Sequence, residues 1–346
     1  MSERRLYLDA GVGETRGVVT LDGKPERLLI RRDEEDLRLA LGARLVGRAR
    51  RVDAAIGAAF IDLGDGAEAM LPFKPAERPV EGSVLEVEIR SEARHAKLAV
   101  VRLVGEGQGA PRLLDPPPPL RDQLAALVRN ARIVDGADAR RMADAAQAEA
   151  LQTLHALPGG GVLAIEPTRA LTALDIDLGD RKGADAKRVT RQVNLVAIAE
   201  AARLLRLKGL GGLVVIDLVG RGHDGAALLA AARLAFAPDN PGVALGPISR
   251  FGTLELTIPR RAPPLHDSLC GAHGGLADRA LAQALIRRLE AEARANPGAR
   301  LVARASPDIA DAARPLAMKL AAVVGARFTI VPDAKLARER FEVAAS

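Results

Sequence analysis

Residues 194–217 read NLVAIAEAARLLRLKGLGGLVVID, an amphipathic pattern broken by glycines and followed by an apolar run that stops on an acid. Val193, Ala197, Ala201, Leu204 and Leu205 recur at the period of a helix with one buried face. The pattern predicts a helix from about Lys187 to Leu207. Arg203, Arg206 and Lys208 gather at its C-terminal end, where cations suit the helix dipole, and GLGG at 209–212 stops it. GLVVIDLVG then reads as a buried strand, so the segment is helix followed by strand and the region is α/β in character.

Upstream, RALTALDIDLGD at 169–180 is another apolar strand, and it sets Asp175 and Asp177 one residue apart at its end. One strand–helix–strand unit separates Asp175 from Asp217. Neighbouring strands would therefore present both acids at one sheet edge, where open α/β sheets bind ligands. Converging carboxylates repel one another, and a hard divalent cation such as Mg²⁺ relieves that repulsion while keeping most of its waters. Such an ion would activate water and stabilise a phosphoryl transition state. The alternative, that strand-end acids cap helices or pair with arginine, stays open on spacing alone.

Working outward, residues 4–31 alternate polar and apolar with glycine at the turns and predict a small meander. Residues 44–104 carry five short strand patterns, which suggests a small barrel such as an OB fold. The stretch 105–120 contains four consecutive prolines and reads as a stiff linker. From Leu120 to Leu157 the pattern is mostly helical, with one short apolar piece at ARIVDG. Beyond the strands around Asp175 and Asp217 come a predicted helix at 225–236 and strands at VALGPI and TLELTI. The last residues alternate helix and strand. The expected divisions are 1–35, strands packing with the catalytic region; 36–106, the barrel; 107–157, linker and helical segment; 158–262, the catalytic α/β region; 263–275, a joint; and 276–346, a small α/β appendix.

Composition narrows the classes. Apolar residues make up 48% of the chain and aromatics only 2%, so its cores must be aliphatic. A net charge of +6 permits a polyanionic partner. Cys270 is the single cysteine, which rules out an internal disulfide and a Cys-rich zinc site within one chain. The charged N-terminus lacks an apolar signal region, and no apolar run is long enough to span a bilayer; a soluble protein of the reducing cytoplasm is expected.

In the barrel, Phe60 and Phe73 are the only aromatics, surrounded by Arg48, Arg50, Arg51, Lys74, Arg90, Arg94 and Lys97. Stacked bases over a basic groove are how OB folds hold single strands; a core role for either phenylalanine is the competing reading. GRGHDG at 220–225 satisfies the G-x-G-x-x-G pattern of a dinucleotide turn, but the following strand ends without the acid that would hold a ribose, so NAD(P) binding is the weaker reading.

Taken together these segments resemble the ribonuclease E/G family. GAAFIDLGDGAEAMLP is similar to its S1 RNA-binding domain, EPTRALTALDID to its first catalytic strand, the block from Asn194 to Asp217 to its most characteristic stretch, and ISRFGTLEL to its final catalytic strand pair. The resemblance implies an α+β multidomain protein: a small OB-type (S1) barrel, an α/β DNase I-like catalytic domain and a small C-terminal α/β appendix. It implies an Mg²⁺-dependent endoribonuclease, with Mn²⁺ as a possible substitute, that cleaves single-stranded RNA in processing or decay by metal-activated water.

Position by position, Asp175 and Asp217 match the magnesium-ligating aspartates, and Asp177 stands where the family usually has an asparagine that supports catalytic geometry. Phe60 matches an RNA-stacking phenylalanine, with Phe73 and Lys74 close by in sequence, and Arg250 lies in the matching SRFG. Several features depart from the family pattern. Only residues 107–157 fill the space of the 5′-monophosphate sensor, and only Cys270 remains of the CPxC zinc link, so no zinc is expected and a tetramer is not assumed; monomer and dimer stay open. The acid often found after the second catalytic strand is Gly220. These departures keep a second expectation alive, a non-catalytic RNA-binding relative acting in RNA maturation or ribosome biogenesis.

Overall fold

The computed structural model describes residues 3–94, 97–180, 186–220, 222 and 224–345. In chain order, β1 (Arg4–Gly11), β2 (Glu14–Leu21) and β3 (Lys24–Arg32) form the predicted meander. Strands β4 (Arg44–Asp53), β5 (Ala58–Gly64), β6 (Ala67–Pro72), β7 (Val84–Ser91) and β8 (Ala99–Glu106) follow. Next come β9 (Arg112–Asp115), α1 (Leu120–Leu127), β10 (Ile133–Val134), α2 (Gly136–Leu151) and β11 (Leu154–Ala156). The central region holds β12 (Val162–Pro167), β13 (Thr172–Asp177), α3 (Ala186–Lys208), β14 (Gly212–Asp217), α4 (Gly225–Phe236), β15 (Ala244–Ile248) and β16 (Thr253–Ile258). The chain continues through α5 (Leu265–Leu269), α6 (Asp278–Ala295), β17 (Leu301–Ala305), α7 (Pro307–Val324), β18 (Phe328–Pro332) and β19 (Phe341–Ala345). The fold is mixed α+β, and it divides into two compact units.

One unit comprises residues 1–35, 124–147 and 265–346. Its first sheet has the order β10-β1-β2-β3, and its second the order β18-β17-β19. Leu285, Ile286 and Leu289 of α6 and Ile309, Leu316 and Leu320 of α7 meet Leu301, Ala303 and Ala305 of β17 in an aliphatic core, as a chain poor in aromatics must build it. The last strand, β19, was not foreseen in the sequence: its alternation is short, and pairing with β17 rather than local propensity defines it.

The other unit comprises residues 36–123 and 148–264. Its first part is a closed five-stranded barrel, in which β5-β6-β8-β7-β4 is sealed by pairing of β4 with β5. Leu45, Ile61, Leu63, Val87, Ile89 and Val101 fill the interior. Gly47 is needed at this closure, because a Cβ there would run into Ile61 across the barrel. Part of the stretch read as a stiff linker joins this sheet, since Arg112–Asp115 pairs with β4 before the prolines release the chain. Pro119 then accepts the Asp122 and Gln123 backbone N–H groups at the start of α1.

The second part is a six-stranded sheet of order β11-β12-β13-β14-β16-β15. Residues 154–156, expected to lie at the end of a helical stretch, instead form its edge strand β11: the Gln152 N–H turns back to the Glu149 carbonyl, and the chain goes on to pair with β12. Among the described residues no helix is long and apolar enough to cross a membrane.

Candidate active site

The sheet has two unlike faces because its strands alternate. Leu163, Ile165, Leu174, Ile176, Val214, Ile216, Leu254 and Leu256 are buried, and the apolar stripe of α3 (Val193, Ala197, Ile198, Ala201, Leu204, Leu205) is buried with them. The residues between them form the opposite face. There Asp175 and Asp177 of β13, Asp217 of β14 and Glu255 of β16 are all exposed.

Asp175 and Asp217 are direct register partners in the parallel pairing of β13 with β14. On the far side of β14, Asp217 faces Thr253 of β16, and Val215 faces Glu255. The Thr253 hydroxyl donates to the Glu255 carboxylate at 3.3 Å and lies 2.7 Å from the Ser249 hydroxyl. Among the described residues, neither Asp175 nor Asp217 is held by a cation. Strands lie about 4.8 Å apart, so two carboxylates in register repel.

Asp177 shares this face but has a local duty, as its Oδ1 accepts the Gly179 backbone N–H at 2.8 Å and closes the turn after β13. An asparagine oxygen would accept the same bond, so Asp177 adds a charge to the face without changing the turn. At the opposite end of β13, the Thr168 hydroxyl donates to the Leu171 carbonyl at 2.7 Å and closes the hairpin from β12.

The turn after β14 is fixed from beneath by Asn194, a fully buried residue of α3. Its Nδ2 donates to the Val219 carbonyl and its Oδ1 accepts the Val219 N–H, each at 3.0 Å. Sequence reasoning quoted Asn194 only as the start of a motif; the available signal was an amide placed on the apolar side of a helix. Gly220 follows at a φ of +87°, and a Cβ there would meet the Thr190 side chain. Steric need at this turn thus accounts for one glycine of the dinucleotide-like pattern. Asp224 caps α4 by accepting the Ala227 N–H at 3.1 Å.

Arg250 lies at the tip between β15 and β16, its guanidinium 4.7 Å from the centre of the Phe251 ring. The Leu218 N–H donates to the Gly252 carbonyl at 3.1 Å, so this tip is tied to the residue just after Asp217. Phe251 is 78% exposed and was not singled out in the sequence.

The barrel residues form a separate group. Phe60 lies on the outer face of β5, opposite Met70 of β6, with the Arg51 guanidinium 3.9 Å from its ring centre. Beside it Arg50 is paired with Asp62 at 2.6 Å. Phe73 is half-buried and packs on the barrel core, while Lys74 is exposed. Arg94 lies where the barrel meets the end of the sheet: the Ser91 hydroxyl donates to the Arg260 carbonyl, and the Glu92 N–H to that of Arg261. Burial, and then the nearby Arg260 charge, push the Arg94 guanidinium below its ordinary value. Cys270, in the other unit, is half-buried, and burial followed by the Asp267 and Glu339 charges raises its thiol, which disfavours the thiolate a metal would need.

These features describe a class of protein: a small closed barrel joined in one unit to a sheet whose open face carries paired acids. Residues 128–261 match the model of the ribonuclease E/G family. The chain is 37% identical to Ribonuclease E of Haemophilus influenzae over 147 residues, covering 40% of this chain and 16% of that protein. It is 36% identical to Ribonuclease E of Escherichia coli over 147 residues, covering 40% and 14% respectively. To Ribonuclease E of a Nostoc species it is 32% identical over 139 residues, 38% of this chain and 20% of that one. The matched stretch is thus a small fraction of these relatives' own length.

Proposed function

We propose that this protein is a divalent-cation-dependent endoribonuclease that cleaves single-stranded RNA in the cytoplasm, with the barrel acting as an S1-type RNA-binding module and the six-stranded sheet as a DNase I-like catalytic layer. The observation that carries the reading is the register pairing of Asp175 with Asp217 on the open face of that sheet. Among the described residues no three His, Cys, Asp or Glu side chains gather as a metal cage. A pair of hard carboxylates facing water is instead what Mg²⁺ accepts, since it is commonly held by one or two carboxylates and keeps its remaining waters; Mn²⁺ suits the same oxygens.

Asp175 and Asp217 would hold the ion, which supplies activation of water and stabilisation of phosphoryl charge. The chain's own residues do the rest. Asp177 and Asn194 fix the turns that follow the two acid-bearing strands. Arg250 and the Arg94–Arg260 pair place positive charge that suits the phosphates of a strand. Phe60 under Arg51, with Lys74 exposed nearby in sequence and Phe73 supporting the barrel wall, offers a ring and cations for an unpaired base.

The deciding experiment is cleavage of a short 5′-labelled single-stranded RNA with Mg²⁺, beside EDTA and Asp175→Asn controls. Loss of cleavage in both controls supports the assignment. The extra charge that Asp177 brings to the face of Asp175 favours one other reading, an RNA-binding relative without catalysis. Salt-sensitive binding with no cleavage in Mg²⁺ or Mn²⁺ would establish that alternative.

A further inference from the structure

We infer that Phe251, at the tip between β15 and β16, is a stacking platform for one nucleobase of a single-stranded RNA beside the Asp175–Asp217 pair; this rests on the reading of that pair as the cleavage site. The ring is 78% exposed in a chain that has six phenylalanines, one tyrosine and no tryptophan. An aromatic so exposed contributes little to the core, and its position is nonetheless tightly specified.

The specification comes from the tip itself. The Ser249 N–H donates to the Thr253 carbonyl at 2.9 Å, and the Gly252 N–H to the Ser249 carbonyl at 3.0 Å. The Ser249 hydroxyl accepts the backbone N–H groups of both Phe251 and Thr253 at 3.2 Å. Gly252 adopts a φ of +93°, which lets so tight a turn close. The Leu218 N–H donates to the Gly252 carbonyl and ties the tip to β14, and Thr253 faces Asp217 in register. The ring is therefore carried on a rigid mount next to one of the two acids.

The chemistry of the mount selects its occupant. Arg250 lies over the ring at 4.7 Å, an arrangement that pairs a flat apolar surface with a cation. Single-stranded nucleic acid presents a matching pair at every residue, a base for the ring and a phosphate for the cation, and stacking on an aromatic does not depend on which base is present. A base seated on Phe251 would fix the strand one or a few nucleotides from the phosphate at the acids.

The test uses the full-length chain and a 5′-labelled RNA with a single cut site, together with versions in which one nucleotide at a time is abasic. Phe251→Ala is expected to raise KM for cleavage, and Kd in EDTA, by about tenfold, the lower range of base–aromatic stacking. Phe251→Trp should restore both. One abasic position should weaken wild-type binding to a similar extent and have no effect on Phe251→Ala. An unchanged KM and Kd in Phe251→Ala, or an abasic profile identical to that of the wild type, overturns the platform. So does a variant that binds RNA normally but loses self-association, since the ring would then be a protein contact. Because the abasic series is also read as binding in EDTA, it decides the platform even if the wild type never cleaves, an outcome that would sink the nuclease reading alone.

Discussion

Asp175 of β13 and Asp217 of β14 are register partners across the one parallel pairing among the described strands of an otherwise antiparallel sheet. A parallel pair needs a long crossover, here supplied by α3, whereas antiparallel neighbours need only a turn. The crossover brings two acids, distant in sequence, side by side with their side chains on the same face. Asp217→Asn is expected to abolish Mg²⁺-dependent cleavage while leaving RNA affinity in EDTA unchanged and the melting temperature unchanged or raised, because one of two repelling charges is gone. Undiminished cleavage by this variant would remove the carboxylate pair from the mechanism.

Asn194 supports the same site without touching its open face. Its side chain satisfies both the N–H and the carbonyl of Val219, and it is fully buried. Asn194→Ala leaves two backbone groups without partners, which costs about 1–3 kcal/mol each where water cannot replace the bond. The variant should unfold at lower denaturant concentration and also lose cleavage beyond its fractional loss of folded protein, since the turn after Asp217 is released. Unfolding at the wild-type midpoint would show that water takes over both bonds.

The helix α3, the glycine stop and strand β14 were legible because period and punctuation agree there, and the barrel because its strands alternate cleanly between core and solvent. The acids at 175 and 217 were legible as strand-end carboxylates; that they face each other in register depends on pairing, which sequence spacing only suggests. Phe251 was invisible as an exposed ring because composition does not tell a surface phenylalanine from a buried one. Strands β9, β11 and β19 were missed for a shared reason: each is an edge strand of three to five residues that exists because a longer neighbour offers it hydrogen bonds.

His155 of β11 gives the fold an acid-sensitive point. Burial, then the charge of Lys208, lower its imidazolium pKa to about 4, from 6.5 when unfolded. Its Nε2 lies 3.2 Å from the Gln152 carbonyl, so the neutral ring donates there. Between pH 6.5 and 4 the unfolded chain therefore binds a proton that the folded chain refuses, and stability falls as pH drops through this window. The contribution is about 2 kcal/mol by pH 4.5. Chemical denaturation at pH 7 and pH 4.5 should show His155→Gln losing less stability than wild type by that amount; equal losses would assign the acid sensitivity elsewhere.

In the other unit, Glu14 joins two buried cations, accepting Arg32 Nε at 2.8 Å and Arg287 Nη1 at 2.6 Å. The surrounding network continues through Arg16, paired with Asp9 at 2.6 Å and Asp144 at 2.8 Å, and through Arg140, which bridges Asp9 and Glu290. Burial, then repulsion from Arg16, bring Arg287 down to about 10, and Glu14 is the first of the charges that oppose this. Removing that carboxylate leaves two guanidinium groups desolvated with less to offset them. Glu14→Gln is therefore expected to destabilise the protein by about 3–5 kcal/mol, as breaking one side of a buried ion pair does. Combining Glu14→Leu with Arg287→Leu should recover part of the loss, because the uncompensated charge goes with its partner. Equilibrium denaturation of Glu14→Leu, Arg287→Leu and the double variant closes the cycle. Additive losses, with no recovery in the double variant, would mean that Glu14 and Arg287 are neighbours in space without being coupled in energy.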